Sequence, residues 1–447
     1  MKQKYERPTI RKMNAGLMNK FGTRRDLDPL KDIDGTSIEQ LKENFGSPLF
    51  VISERQIRRN YQSAVRSFKT RYPKVQFAWS YKTNYLNAVC KVFHQEGSWA
   101  EVVSGFEYQK ALNNGVIGSQ IIFNGPDKKE EDLRLAITHH SLIHIDHFDE
   151  LYLLMRLADQ LNIKAKVAIR VNFDIGVYPA WDRFGFNYEN EQAWSAISKV
   201  VSTKMIELVG LHCHIGTFML STSAYAIAAA KLSALAIRCK TELNNPIHYL
   251  DLGGGFPSTN TIKGAYLPGV DTVPSIDEFA EIITTTILEA GFVQSELPLL
   301  ILESGRALID DAGYLLGSIL ANKRLSDGRR ATIVDFGVNI LFTSNWYNHK
   351  ISVAQEASQY TEETVLCGPL CMNIDVVRES VNLPLLEVGD CIVVHKVGAY
   401  NMSQWMQFIN LRPAVVMIDL EGNVHRIRKS ETLEYIELME EVPEHLK

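Results

Sequence analysis

Between residues 75 and 303, short apolar and β-branched runs recur with helical patterns between them, and this alternation limits the fold more than any other feature of the chain. The candidate strands are Val75–Ser80, Trp99–Val103, Gln120–Asn124, Leu142–Ile145, Lys166–Val171, Glu207–Cys213, His248–Leu252 and Leu299–Leu302. Each is short and nearly all apolar, as parallel strands buried on both faces are. The spacers carry helix signals. Ser104-Gly105-Phe106-Glu107 reads as a capping box, and Gly115 after Asn113-Asn114 reads as a stop. Leu151, Leu154, Met155 and Ala158 fall at i, i+3, i+4 and i+7, one face of a helix. Eight such strands predict an α/β fold, a (β/α)8 barrel, for which about 250 residues is typical. An open doubly wound sheet is the competing arrangement.

The chain has 447 residues, enough for a second domain. After about residue 310 the pattern changes. The strand-like runs Ala331–Phe336, Cys391–His395, Ala414–Asp419 and Val424–Arg428 no longer alternate with long helices. Leu420-Glu421-Gly422-Asn423 between the last two reads as a hairpin turn. The expected division is an N-terminal segment, 1–48, packing with the β domain; a barrel, 49–310; and a mostly antiparallel β domain, 311–447. Pro48-Leu49-Phe50-Val51-Ile52 reads as a strand leading from the β domain into the barrel.

Composition narrows the function. Apolar residues make up 46% and charged residues 22%, an ordinary globular balance. The net charge of −5 offers no basic excess for a nucleic-acid backbone. No stretch is long and apolar enough for a bilayer, and the basic start Met1–Pro8 lacks the apolar run of a signal peptide. Six scattered cysteines without a C-x-x-C pair suggest reduced thiols in the cytosol.

In a barrel the chemistry sits where strands end. Lys82 closes the first run. It is either a solvated strand end or a lysine desolvated at the mouth, with a lowered pKa, able to carry an aldehyde cofactor. Gly253-Gly254-Gly255 after the seventh run is either a flexible turn or a backbone cradle for an anion, with Arg306 as a charged donor nearby. Glu303 ends the eighth run. It either pairs with Arg306 or holds a ring nitrogen protonated, as pyridoxal phosphate chemistry requires. His212 and His214, two apart, point the same way. They are either metal ligands, with Glu101, Asp251 and Glu303 available, or a packed His212 beside a His214 that lies on a flat cofactor. Cys367-Gly368-Pro369-Leu370-Cys371-Met372-Asn373-Ile374-Asp375 brings two cysteines and an acid to one turn, and Gly398-Ala399-Tyr400 follows an apolar run.

Taken in order, these motifs resemble the fold-type III pyridoxal-phosphate decarboxylases, the diaminopimelate and ornithine decarboxylase family, from about residue 48 to 435. The resemblance implies that Lys82 carries the cofactor and that His214, of His-Ile-Gly-Thr217, lies against its ring. Thr217 stands where the family has Ser. It implies that Gly253, Gly254 and Gly255 bind the phosphate with Gly305, Arg306 and Tyr400. Glu303 then pairs with the ring nitrogen, and Ser304 replaces the Pro of Glu-Pro-Gly-Arg. Cys371, of Gly-Pro-x-Cys, is implied as the proton donor, reaching with Asp375 into the opposite subunit of a homodimer. The resemblance also exposes two departures. Met372 stands where the family has an acid that recognises the distal amino group, and Thr343-Ser344 stands where diaminopimelate enzymes have an Arg-Pro for the distal carboxylate. This pattern resembles a side branch in specialised biosynthesis, including the carrier-protein-linked glutamate decarboxylase of butirosin synthesis and the decarboxylase domain of microcin C maturation. It implies a modified or conjugated amino acid as substrate, with a carrier protein as a partner. A true diaminopimelate decarboxylase of lysine biosynthesis, a non-catalytic binding protein and a metal-dependent barrel hydrolase are the competing functions.

Overall fold

A computed structural model describes residues 29–358 and 360–447. The eight predicted runs are strands: Val75–Ser80, Trp99–Val102, Ile121–Phe123, Leu142–Ile145, Ala165–Asn172, Ile206–His212, Tyr249–Asp251 and Leu299–Leu302. We call them barrel strands one to eight. Each pairs in parallel with the next, and strand eight pairs with strand one, so the sheet closes. An open sheet is thereby excluded. A two-residue strand, Phe186–Asn187, adds to strand five.

Period-two alternation decides what fills the barrel. Ala78, Ile122, Leu142, Ala168, Tyr249 and Ile301 belong to one apolar cluster. Two residues further along, and so on the same side, stand Ser80, Asn124, His144, Arg170, Asp251 and Glu303, all buried. The interior is therefore an apolar floor under a polar layer, and the polar layer lies at the end where barrels carry their chemistry.

The helices follow their predicted faces. In the helix Phe148–Leu161, Leu151, Leu154 and Ala158 are buried and Met155 is half-buried. Ser104 caps the helix Gly105–Asn113, but the Glu107 carboxylate accepts from the Val103 N–H at 2.9 Å rather than from Ser104, so the expected box is shifted by one residue. A reciprocal box forms instead at Ser275 and Glu278.

The second sheet runs in the order Val376–Pro384, Thr361–Cys367, Arg330–Val334, Gly313–Arg324, Leu49–Ser53, Val415–Ile418, Val424–Arg428. Gly313–Arg324 also pairs with Cys391–His395. Most pairings are antiparallel; two are parallel. Leu49–Ser53 lies between Gly313–Arg324 and Val415–Ile418, so it belongs to this sheet and not to the barrel. Ser53 then caps the helix Glu54–Lys69, which carries the chain to barrel strand one. Upstream, Ile33, Ile38 and Leu41 share a core cluster with Leu316, Val393 and Val416. Residues 1–28 of the N-terminal segment lie outside the described residues.

Candidate active site

Barrel strand one ends in a tight turn, Tyr81–Thr83, that turns Lys82 toward strand two. Its Nζ donates to both oxygens of Glu101, at 2.8 and 2.7 Å. Ser80, the register partner of Glu101, donates to the same carboxylate. Asn124 Nδ2 donates to Glu101 at 3.1 Å and to Glu303 at 2.6 Å. Strands one, two, three and eight are thus joined through Lys82, Glu101, Asn124 and Glu303. Burial opposes the charge on Lys82, but Glu101 and then Glu303 outweigh it and hold the ammonium above its ordinary range. The expected lowered pKa is corrected: this lysine is stored charged. Its side chain is still 38% exposed, so it can be reached from the mouth.

The β domain holds this turn from above. Ser403 donates to the Lys82 carbonyl at 2.7 Å, and the Tyr400 N–H donates to the Thr83 carbonyl at 2.8 Å. Asn84 donates to the Gly398 carbonyl at 3.0 Å. Both domains therefore build the site.

Across the mouth, Gly253 and Gly255 adopt φ of +65° and +93°, which favour glycine. A Cβ on Gly254 would run into the Glu303 carbonyl, and one on Gly255 into the Gly216 carbonyl. The run is thus a close approach of three strand ends. Not all of its N–H groups are open, as the sequence reading expected. Gly253 donates to Asp251 at 2.8 Å and Gly254 to His214 Nδ1 at 3.1 Å, which leaves the Gly255 N–H for an incoming anion. Tyr225 holds the Gly254 carbonyl at 2.6 Å. The ring of His214 has its pKa pulled down to about 3 by burial and then by Lys82, so it is neutral with Nδ1 as acceptor. Trp181 lies 5.4 Å from that ring. Gly254→Ala is expected to push strands seven and eight apart, at about 1–3 kcal/mol. Titrating the cofactor-depleted variant with pyridoxal phosphate should give at least about ten-fold weaker binding; unchanged affinity would mean the cradle is not used.

Arg306 is buried and forms no ion pair among the described residues. It donates to the Tyr347 hydroxyl and, at 3.3 Å, to Thr217. Its guanidinium lies 4.6 Å from the Tyr400 ring, 5.6 Å from Phe218 and 5.7 Å from Trp346. A pairing of Glu303 with Arg306 is therefore excluded. Gly305 is required because a Cβ there would meet the Thr83 hydroxyl.

Four implied substrate or proton-transfer positions sit elsewhere. Cys371 is exposed and forms no hydrogen bond to the mouth residues. Met372 is half-buried on the same turn. The Asp375 carboxylate accepts from Val338 and Leu370 N–H groups, both at 2.8 Å, and is buried. It braces the Cys371 turn from beneath, with one of these N–H groups on each carboxylate oxygen. Thr343 is likewise tied within the chain. Its hydroxyl is 2.9 Å from both Asn401 and His349 in a buried cluster.

The two histidines of strand six also separate. His212 is buried with His144, and His144, His212 and Glu303 bring ligand atoms within 4.8 Å of one another. His214 is not in that group, so among the described residues the two histidines do not share one ligand cluster, in keeping with a packed His212 beside a separate His214.

Comparison with known proteins now bears on this arrangement. The family described as "Pyridoxal-dependent decarboxylase, pyridoxal binding domain" matches residues 55–310. The chain is 30% identical to the diaminopimelate decarboxylase of Methanocaldococcus jannaschii over 93% of its own length and 95% of that protein. It is 29% identical to the Bacillus subtilis diaminopimelate decarboxylase, over 91% and 94%. The crystal structure of the Methanocaldococcus jannaschii enzyme superposes with a TM-score of 0.85, at 30% identity, over 93% of this chain and 97% of that one. The chain belongs to the pyridoxal-dependent decarboxylases. It is a pyridoxal-phosphate-dependent carboxy-lyase of the diaminopimelate and ornithine decarboxylase type. The residues fit that cofactor. A buried guanidinium with no ion pair among the described residues and the open Gly255 N–H suit its phosphate, and Lys82 and Glu303 are spaced across one polar layer. The sequence reading named Glu101 only as a metal-ligand candidate and overlooked Asn124 and His144 as site groups. The signal was there: each is a polar residue within one position of the end of an otherwise apolar strand.

Proposed function

We propose that this decarboxylase removes the α-carboxylate of an amino acid whose distal end is modified or conjugated. When bound, pyridoxal phosphate supplies an electron sink for the carbon that loses its carboxylate. Lys82 carries the cofactor and returns to Glu101 as an ammonium when released. Glu303 holds a proton at the ring nitrogen, and neutral His214 lies against the ring. Arg306, Thr217, Gly255 and Tyr400 hold the phosphate. Cys371 delivers a proton to the substrate carbon from the opposite subunit of a homodimer. Its exposure on a turn braced by Asp375 supports that reading. Six free cysteines suit a reducing cytoplasm, and no described helix is long and apolar enough to cross a membrane.

The observation that carries the substrate reading is that the residues at the implied distal-group positions, Thr343, Ser344 and Met372, carry no charge. Thr343 is tied to Asn401 and His349, Ser344 is fully buried, and Met372 is uncharged. Aromatic rings, Phe218, Trp346 and Tyr400, surround Arg306 instead. A buried substrate charge left unpaired here would be strongly disfavoured. A conjugated distal end, including one on a carrier protein, avoids that charge. A second reading, decarboxylation of free diaminopimelate, is supported by the similarity to enzymes of that name. Carbon dioxide release from meso-diaminopimelate, ornithine, lysine and glutamate should be at least about a hundred-fold slower, by kcat/KM, than from a distally conjugated amino acid. Fast release from free diaminopimelate would establish the second reading instead.

A further inference from the structure

Beneath Glu303 lies a buried pair of imidazoles to which the proposed chemistry assigns no part. His144 and His212 are each 1% exposed, with ring centroids 4.6 Å apart. The far side of His144 is fixed, since its Nε2 is 3.0 Å from the Tyr249 hydroxyl. The near side is not. His144 Nδ1 and both nitrogens of His212 have no hydrogen-bond partner. A neutral imidazole carries one N–H, and a buried N–H without an acceptor is costly. The carboxylate at hand is Glu303, whose Oε2 lies 3.5 Å from His212 Nε2 and whose Oε1 lies 3.9 Å from His144 Nδ1. On its other side Glu303 is held by Asn124 at 2.6 Å.

We propose that His212, backed by His144 and Tyr249, is a positioning residue that aims Glu303 at the ring nitrogen of the bound cofactor. The inference rests on the cofactor reading above. The surroundings favour it. Burial, then Arg170 and Lys82, pulls the pKa of His212 well down, and burial, then His212, does the same for His144. Both rings therefore stay neutral and serve as fixed dipoles. Asp251, the register partner of His212, has its pKa pushed well up by burial and then by Glu303. Glu303 thus has His212 on one side and Asn124 on the other. Arg170, in the same polar layer, is paired with Asp146 at 3.2 Å and leaves Glu303 to these neutral donors.

The test compares two cofactors on the cofactor-depleted full chain. One is pyridoxal phosphate. The other is its carbocyclic analogue, in which a C–H replaces the ring nitrogen. Affinity is read from the absorbance titration, with no turnover required. His212→Leu is expected to weaken pyridoxal phosphate about ten-fold while changing the analogue by less than about two-fold, because only the first has a nitrogen for Glu303 to meet. His212→Gln keeps a donor and should recover most of the loss; it also guards against a folding defect in the leucine variant. Equal weakening of both cofactors would assign His212 a merely structural role and overturn the inference alone. So would unchanged affinity for both. Failure of the unmodified chain to bind pyridoxal phosphate would overturn the cofactor reading, and this inference with it.

Discussion

Lys82→Ala is expected to abolish the near-visible absorbance of bound cofactor and to lower turnover by at least about a thousand-fold. The reason is geometric as well as chemical. Lys82 is the lysine at the barrel mouth whose nitrogen is both held in place, by two bonds to Glu101, and reachable from outside. The alanine variant also leaves Glu101 fully buried without its cation. Ser80 and Asn124 still donate to that carboxylate, so the barrel should fold. Lys82→Arg separates the two roles. Arginine keeps the charge beside Glu101 but cannot carry an aldehyde. It should lose the absorbance and the turnover as completely as alanine does, while melting close to the unmodified protein. An arginine or alanine variant that retains the band would remove Lys82 from its assigned role.

The barrel was legible in the sequence because its strands are apolar on both faces. No alternation competes with that signal, and all eight runs were found within a few residues of their ends. The second sheet was legible only where strands are buried or closed by a tight hairpin. Thr361–Cys367 and Val376–Pro384 were missed because they lie at one end of the sheet order and carry the charges that edges carry. Gly313–Arg324 was missed for another reason. A bulge between Ile319 and Ala321 shifts its register, and its end is exposed, so neither period holds along its length. The same division applies to the site. Residue types at strand ends could be read, because a barrel puts its chemistry there. Contacts set by register between distant strands could not, and the links from Glu101 through Asn124 to Glu303 are of that kind. The partners of Asp375 and Thr343 were not legible because a motif fixes a position but not the direction in which a side chain turns.

The same limit hid a buried ion pair beneath the site. Lys128, in the loop after barrel strand three, is fully buried at its side chain, and its ammonium has three acceptors. They are the Gly125 carbonyl at 2.6 Å, the His144 carbonyl at 2.8 Å and Glu150 at 2.7 Å. The other Glu150 oxygen accepts from the Asp146 N–H at 2.9 Å. Strand four, its following loop and the helix Phe148–Leu161 are thus tied to the end of strand three by one satisfied ion pair. A buried pair of this kind adds little over well-packed apolar residues, but breaking it on one side is severe. Lys128→Met is therefore expected to lose about 3–5 kcal/mol in denaturant unfolding, because Glu150 and two carbonyls are stranded out of water. Lys128→Met with Glu150→Leu should recover part of that loss, since the unpaired charge is gone. It should not recover all of it, since the Gly125 and His144 carbonyls and the Asp146 N–H remain without partners. A single variant within about 0.5 kcal/mol of the unmodified protein would mean that water or another group replaces the lysine. A double variant no better than the single one would place the cost in the orphaned backbone rather than in the buried carboxylate.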